Sequence, residues 1–320
     1  MIKKRILKVI KKHKRFLISG HIHPEGDSIG SQLALANLLK AMGKSVRMIN
    51  KDAVPRNLMF LPGCKQIERY TKAKINKVQF DVALILDCTG LERVGKVARL
   101  IKDECIINID HHVSNENFGG INWIDHRASA AGEMIYNLFK ASNVKLDHKS
   151  ALCLYVAIMT DTGSFRYSNT TSATHRIIAE LLKYKINPTR AYEYIYETKS
   201  FPTMKMLGEA LDNLRRSKDG RIVWFKVTDK MLKKYKLLPE DTENFIDVVR
   251  MIEGADVAAF LRELDCGGIK ISLRSKGKTD VNKIAGVFGG GGHKLASGCF
   301  IEKTMSKAEE LLIKQIRKAI

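Results

Sequence analysis

Long apolar runs are missing from this 320-residue chain. The strongest of them, such as Val82–Leu86, fall far short of the ~20 residues that a membrane-spanning helix needs, so no membrane partner is expected. Phe16–Ile18 is too short for the apolar core of a signal peptide, and no small-residue cleavage site follows it. The expected compartment is therefore the cytoplasm. Cysteine is sparse and scattered. Cys64, Cys88, Cys105, Cys153, Cys266 and Cys299 form no C-x-x-C pair, which argues against a structural zinc site. Most lie in apolar runs, where a free Cys behaves as a small hydrophobe, and they read as reduced and structural. There is no internal repeat and no low-complexity segment. Acidic residues are also in deficit: 34 Asp and Glu stand against 55 Lys and Arg, for a net charge of +21. That imbalance favours polyanionic partners or substrates, although Lys also serves simply to solubilise a surface.

What is present is the composition of a globular chain, long enough for two ordinary domains. Ile2–His13 has the spacing of a basic amphipathic helix. Phe16–Ser19, Val46–Ile49, Val82–Leu86 and Ile106–Ile109 read as strands, and Ser28–Met42, Ser129–Ala141, Ser150–Met159 and Thr171–Leu182 as helices. The alternation predicts an α/β domain over residues 1–185 with a doubly wound, mostly parallel sheet. In such a sheet ligands bind beyond the carboxyl ends of the strands. A Lys- and Tyr-rich stretch with Pro188 and Pro202 predicts a helical linker over 186–205. From 206 to 320 the pattern changes to a smaller α+β domain. Its strands are Arg221–Val227, Val257–Leu264 and Gly268–Leu273, and its helices are Met231–Tyr235, Thr242–Met251, Val281–Val287 and Ser306–Ala319.

Four places in the first half gather acids and imidazoles: His21-Ile22-His23-Pro24-Glu25-Gly26-Asp27, Leu86-Asp87-Cys88, Asp110-His111-His112 and Met159-Thr160-Asp161. Each ends a short apolar run. Such a set, concentrated at strand ends, has the donors of a two-metal phosphoesterase. Oxygen and nitrogen ligands of this kind suit Mn²⁺, Mg²⁺ or Zn²⁺, and two ions can clamp the attacking and leaving oxygens of a phosphoryl transfer. His21, Glu25 and Asp27 fall on a tight loop, where a cation would relieve the repulsion between carboxylates. An N-cap acid beside a chance histidine is the plainer alternative. Asp87 ends the most apolar strand, where a carboxylate is costly unless paired or metal-bound. It, like Asp161, also fits a simple Asx turn. Asp110-His111-His112 follows a buried strand. Neighbouring imidazoles point different ways, so one can hold metal while the other faces substrate and Asp110 orients a ring. A polar surface turn is the alternative there.

Near the C-terminus stands Gly289-Gly290-Gly291-Gly292-His293. Four glycines are entropically poor material for a helix or strand. Their successive N–H groups can form an anion-binding nest, or the run is a flexible hinge. Arg262 and Arg274 lie on the preceding strands, where Arg274 can fork onto a phosphate or carboxylate. Both also fit solvated strand positions. The basic helix carries Lys3, Lys4, Arg5, Lys8, Lys11 and Lys12, with Lys14 and Arg15 beyond it. It reads first as a solvated face, and second as an oligonucleotide-steering surface.

Taken together, these residues resemble the DHH phosphoesterase superfamily, named for the triplet seen here as Asp110-His111-His112. His21-x-x-x-Glu25-x-Asp27 looks like its first motif, Asp87 its second, Asp110–His112 its third and Asp161 its fourth. Gly289–His293 resembles the glycine-rich motif of the DHH-associated C-terminal domain. All five occur in the family's order, and the resemblance covers nearly the whole chain. The two-domain length, without extra modules, looks most like the NrnA-type branch of bifunctional oligoribonucleases and 3′-phosphoadenosine 5′-phosphate (pAp) phosphatases. RecJ-type nucleases carry an added nucleic-acid-binding module. One departure is Glu25, where the family commonly has aspartate.

The resemblance implies that His21, Glu25 and Asp87 bind one metal and that Asp27, Asp87, His111 and Asp161 bind a second, with Asp87 bridging. It implies two divalent ions, Mn²⁺ foremost, with Mg²⁺, Co²⁺ and Zn²⁺ permitted. Water activated between them would attack phosphorus in line. His112, supported by Asp110 and Asp87, would stabilise charge or protonate the leaving oxygen. Arg274, Arg262, His293 and Gly289, Gly290, Gly291 and Gly292 would hold the far end of the substrate across an interdomain cleft. The implied substrates are short RNA oligonucleotides, cut to mononucleotides, and pAp, converted to AMP. A homodimer is in keeping with the family. Two other readings stay open: a phosphodiesterase of linear or cyclic dinucleotides, and a nucleotide- or RNA-binding protein without catalysis.

Overall fold

Ile6, Leu7 and Ile10 put one stripe of helix α1 (Ile2–Lys12) into the core, while Lys4, Arg5, Lys8, Lys11 and Lys12 face solvent. That is the pattern of an amphipathic surface helix. The computed structural model describes residues 2–71, 78–101, 105–265 and 267–320. They form two units, Met1–Thr198 and Lys199–Ile320. Cys266 lies outside the described residues. The other five cysteines are free thiols.

In the first unit the chain runs through β1 (Arg15–Ser19), α2 (Gly26–Ala41), β2 (Ser45–Asn50), β3 (Ile67–Arg69), β4 (Val82–Leu86), β5 (Cys105–Asp110) and β6 (Ile121–Ile124). It continues through α3 (Ala131–Ser142), α4 (His148–Asp161), α5 (Ser172–Leu182) and α6 (Pro188–Tyr196). The six strands are parallel in the order β3-β2-β1-β4-β5-β6. Because strands point successive side chains to opposite faces, the sheet has two cores. Phe16, Ile18, Val82, Leu84 and Leu86 pack with α2, α3 and α4. Leu17, Ala83 and Ile85 pack on the other side with Val94 and Val97. All five β4 residues are buried, as befits a strand covered on both faces. The strand order reverses between β1 and β4, the switch point where such sheets open a crevice at their carboxyl ends.

One close helix contact positions the acids. A Cβ on Gly30 of α2 would sit 2.4 Å from the Cys153 carbonyl oxygen of α4, and one on Gly26 would sit 2.4 Å from Thr160 Cγ2. The two backbones therefore meet. This brings Asp27, in the first turn of α2, near Asp161, the last residue of α4. One expectation changes here. Asp27 is helical and not part of a loop, because the helix begins at Gly26 with Glu25 as its N-cap. Asp161 ends the helix expected over Ser150–Met159, which runs two residues further. Strands β3 and β6 are short and half polar, and their apolar signal was too weak to read.

The segment 186–205 is divided between the units. Asn187 caps α6 and Ser200 caps α7 (Phe201–Asp212), each with a proline in the first turn. Pro188 and Pro202 thus start helices, the position where a missing N–H costs nothing. Ala191 and Ile195 of α6 are buried in the first unit, and Met206, Leu207 and Ala210 of α7 are buried in the second.

The second unit continues with β7 (Arg215–Arg216), β8 (Ile222–Val227), α8 (Asp229–Tyr235), α9 (Phe245–Arg250), β9 (Val257–Glu263) and β10 (Ile269–Ser275). It ends with α10 (Val281–Gly286), β11 (Gly291–His293), β12 (Ala296–Ile301) and α11 (Met305–Ala319). Its sheet is mixed, in the order β11-β12-β10-β9-β8-β7, with only β8 and β9 parallel. Residues Ile222, Leu261 and Leu273 pack with α10 and α11 on one face. Phe225, Val227 and Phe260 pack with α7, α8 and α9 on the other.

The glycine run overturns the expectation that it is no strand. Gly291, Gly292 and His293 pair with Gly298, Ser297 and Ala296. The tight hairpin requires glycine. A Cβ on Gly290 would meet the Gly298 carbonyl oxygen at 2.2 Å, and one on Gly292 the Ala296 oxygen at 2.6 Å. Close backbone approach outweighs the entropy that disfavours glycine in strands. Among the described residues no helix is long and apolar enough to cross a membrane.

Candidate metal centre

Asp87 follows β4 at the switch point, with a left-handed φ of 53° and its amide donating to the Ile109 carbonyl. Its side chain is 1 % exposed. Oδ2 lies 3.3 Å from His21 Nε2, and Oδ1 lies 3.6 Å from both His111 Nε2 and His112 Nδ1. Neither oxygen has a hydrogen-bond partner among the described residues. Buried carboxylate oxygens without hydrogen bonds are rare. Facing imidazole nitrogens at these distances, they could hold a metal ion.

The residues around Asp87 fall into ligand sets whose donor atoms lie within 4.8 Å of one another. One is His21, Glu25 and Asp87; another is Asp27, His111 and Asp161; a third is Asp87, Asp110, His111 and His112. Carboxylate and imidazole donors in this mixture suit Mn²⁺, Mg²⁺, Co²⁺ or Zn²⁺, so the residues fit divalent cations. His21 engages the Ile22 carbonyl through Nδ1 at 2.7 Å. This second contact fixes the ring and leaves Nε2 toward Asp87.

Asp27 is fully buried and caps a distant helix. Its oxygens accept from the Ala131 and Gly132 amides of α3, at 2.6 and 2.8 Å, and from Ser31 Oγ at 2.9 Å. The first turn of α3 has no side-chain cap of its own, and a helix N-terminus favours an anion there. His111 Nε2 stands 3.9 Å from Asp27 Oδ2 and 3.5 Å from Asp161 Oδ2. Asp161 is further steadied by Asn169, which donates to its carbonyl oxygen at 3.1 Å.

Asp110 is buried and orients rather than reaches. Its Oδ1 accepts from the His111 amide at 2.8 Å and engages His112 Nδ1 at 2.7 Å, while Oδ2 accepts from Asn115 Nδ2 at 2.6 Å. Asn115 also donates to Asn108 Oδ1 at 2.8 Å, and Asn108 donates to the Ile85 and Cys88 carbonyls. Asn108, Asn115 and Asn169 escaped the sequence reading. Asn108 alone left a signal, as a polar residue inside a buried strand.

The protonation pattern reflects crowding. Burial, and then Asp87, push Asp27 up to about 7. Burial raises Asp161 well above the carboxylate range. Burial opposes the charge of Asp87 too, but the His111 and His21 rings hold it well below that range. Burial would lower His21, yet Asp87 raises it to about 9. Cations in place of protons would resolve this stack of acids and bases.

The C-terminal residues expected to hold substrate occupy the second unit. Arg274 pairs in register with Ala296, and Ala296 with His293. Arg274 and His293 therefore share a sheet face at one level. Arg274 Nε also meets Asp247 Oδ1 at 3.3 Å. Arg262 pairs with Lys270, four residues along β10, or roughly 13 Å from the Arg274 row. It is buried, and its guanidinium donates to the Pro239 carbonyl and to Thr242 Oγ1.

The chain belongs to the DHH family. The family's N-terminal domain matches residues 15–158 and the DHHA1 domain matches residues 230–320. It is 31% identical over 306 residues to the bifunctional oligoribonuclease and PAP phosphatase NrnA of Thermus thermophilus, covering 95% of this chain and 89% of that one. With the protein of the same name from Bacillus subtilis it shares 28% identity over 94% of this chain and 93% of the relative. The crystal structure of an exopolyphosphatase-related protein from Bacteroides fragilis superposes with a TM-score of 0.94 at 30% identity, covering 99% of this chain and 95% of that one.

Proposed function

We propose that the protein is a metal-dependent phosphoesterase that hydrolyses short oligoribonucleotides to mononucleotides and pAp to AMP. The observation that carries this reading is Asp87, a buried carboxylate facing three imidazoles without a hydrogen bond and flanked by further acids. The names of the relatives supply the substrate class. His21, Glu25 and Asp87 are assigned to one divalent cation, and Asp27, Asp87, His111 and Asp161 to a second. Such cations lower the pKa of water and offset charge on phosphoryl oxygens.

The chain's own groups do the rest. Asp110 and Asn115 lock the His112 ring, so that its position for proton transfer to the leaving oxygen is set before substrate arrives. Asp27 ties the site to the first turn of α3, which keeps that carboxylate from swinging out. In the second unit, the glycine hairpin, His293 and Arg274 are assigned to the far phosphate or terminal sugar. The buried Arg262 is placed to brace the Pro239–Thr242 turn.

The test uses metal-free protein given a labelled RNA dinucleotide and pAp, followed by Mn²⁺. Metal-dependent hydrolysis of both supports the bifunctional reading. Hydrolysis of pAp alone would replace it with a nucleotide phosphatase. No turnover by metal-loaded protein would overturn it in favour of a binding protein.

A further inference from the structure

The second unit carries a groove that the reaction above does not use. It lies between α11 and the edge of the sheet, has a volume of about 690 Å³, and is lined by the cations Arg215, Lys314, Arg317 and Lys318, by Trp224 and by the acids Glu309 and Glu310. On α11 the lining residues recur at three- and four-residue spacing, so they form one stripe along the helix. Arg215 and Trp224 are cross-strand partners of β7 and β8. The glycine hairpin is at the opposite edge, five strand spacings away, or roughly 24 Å. The groove is thus separate from the hairpin.

Its charges are arranged for a polyanion. Glu309 is already engaged, accepting from Trp224 Nε1 and Arg215 at 2.8 Å each and facing Lys226 at 3.4 Å. Glu310 pairs with Lys307 at 2.8 Å. Lys314, Arg317 and Lys318 are exposed; Lys314 is within electrostatic reach of Glu310, while Arg317 and Lys318 make no ion pair within 4 Å among the described residues. The helix dipole accounts for cations in the last turn of α11. It does not account for an indole ring lining the same groove. Trp224 is only partly covered; it packs against the core of this face and its Nε1–H is held by Glu309. A cation row beside a stacking platform is the means by which single-stranded nucleic acid is held without sequence preference. An acidic peptide would match the cations but make no use of the ring.

We infer that this groove is a second, independent contact for single-stranded RNA, with phosphates on Lys314, Arg317 and Lys318 and a base on Trp224. The choice of RNA among polyanions rests on the function proposed above, so binding and hydrolysis are read separately. Metal-free full-length protein is titrated with a twelve-nucleotide 2′-O-methyl RNA while tryptophan emission is followed. Quenching is expected in the wild type and not in Trp224→Phe. The triple variant K314E/R317E/K318E is expected to bind about 10-fold more weakly or worse. The slope of its log K against log salt should be shallower by about 2, the share of three phosphate contacts. Its Mn²⁺-dependent hydrolysis of an RNA dinucleotide should match the wild type. Unchanged affinity and slope in a triple variant of wild-type melting temperature would overturn the inference. So would polyglutamate of equal length binding as tightly as RNA. Loss of dinucleotide hydrolysis in the triple variant would instead place these cations in the reaction, which also overturns it.

Discussion

Asp87 touches both ligand sets through the His21 and His111 rings, so one substitution disturbs the whole centre. Asp87→Ala is expected to abolish turnover and to lower bound metal, measured by elemental analysis alongside hydrolysis. Normal activity in a folded, metal-loaded variant would sink the bridging role. Asn115 contacts no expected metal ligand directly, but it holds Asp110, which holds His112. Asn115→Ala should cost 10–100-fold in kcat, the usual price of losing a supporting contact in a metal site. Its KM and metal content should change little, and a shift confined to KM would contradict the positioning role. The motif residues were legible in the sequence because acids and imidazoles at the ends of apolar runs are chemically conspicuous. Asn115 was not, because an asparagine in a polar loop looks the same whether or not it supports the Asp110–His112 pair.

At the scale of elements, the contact of α2 with α4 decides whether Asp27 and Asp161 meet. Gly30→Ala would place a Cβ 2.4 Å from a backbone oxygen and 3.0 Å from the Ala157 Cβ. Overpacking of that kind costs about 1–3 kcal/mol, and the ~1 kcal/mol that Ala gains in helix propensity offsets only part of it. The variant should show a lower urea midpoint and weaker metal binding. An unchanged midpoint would show that the helices can part at no cost. Strand β4 was legible to the residue, since five consecutive buried apolar side chains have few other uses. The glycine hairpin was misread because local entropy predicts a loop, while the hairpin is dictated by a partner strand that presses on it.

For the molecule as a whole, the proposed site sets metal and protons in competition. Asp27 is raised to about 7 and His21 to about 9. Both therefore bind more protons folded than unfolded, between about pH 4 and pH 9. On that sign, the metal-free protein loses stability as pH rises through this window. Cations need the deprotonated ligands and bind only the folded chain, so their stabilising effect grows as pH rises. The gap in melting temperature between Mn²⁺-loaded and metal-free protein should widen from pH 6 to pH 9, followed by calorimetry. Metal binding at pH 7 should release protons, seen as a buffer-dependent enthalpy. A gap that narrows over this range would show that the site is not filled by cations at these residues.

The sequence by itself determined the alternation of strands and helices and the identity of the acids and imidazoles. Each of these depends on side-chain chemistry and on periodicities of two and 3.6 residues, which are local. Only the tertiary structure decided that Asp27 caps α3 from 104 residues away, that α4 brings Asp161 beside His111, that Asn115 supports Asp110, and that Arg262 is buried while Arg274 shares a sheet face with His293. These relations join residues far apart in the chain. They are fixed by close backbone approach and by the need to satisfy buried polar groups, which no local pattern encodes.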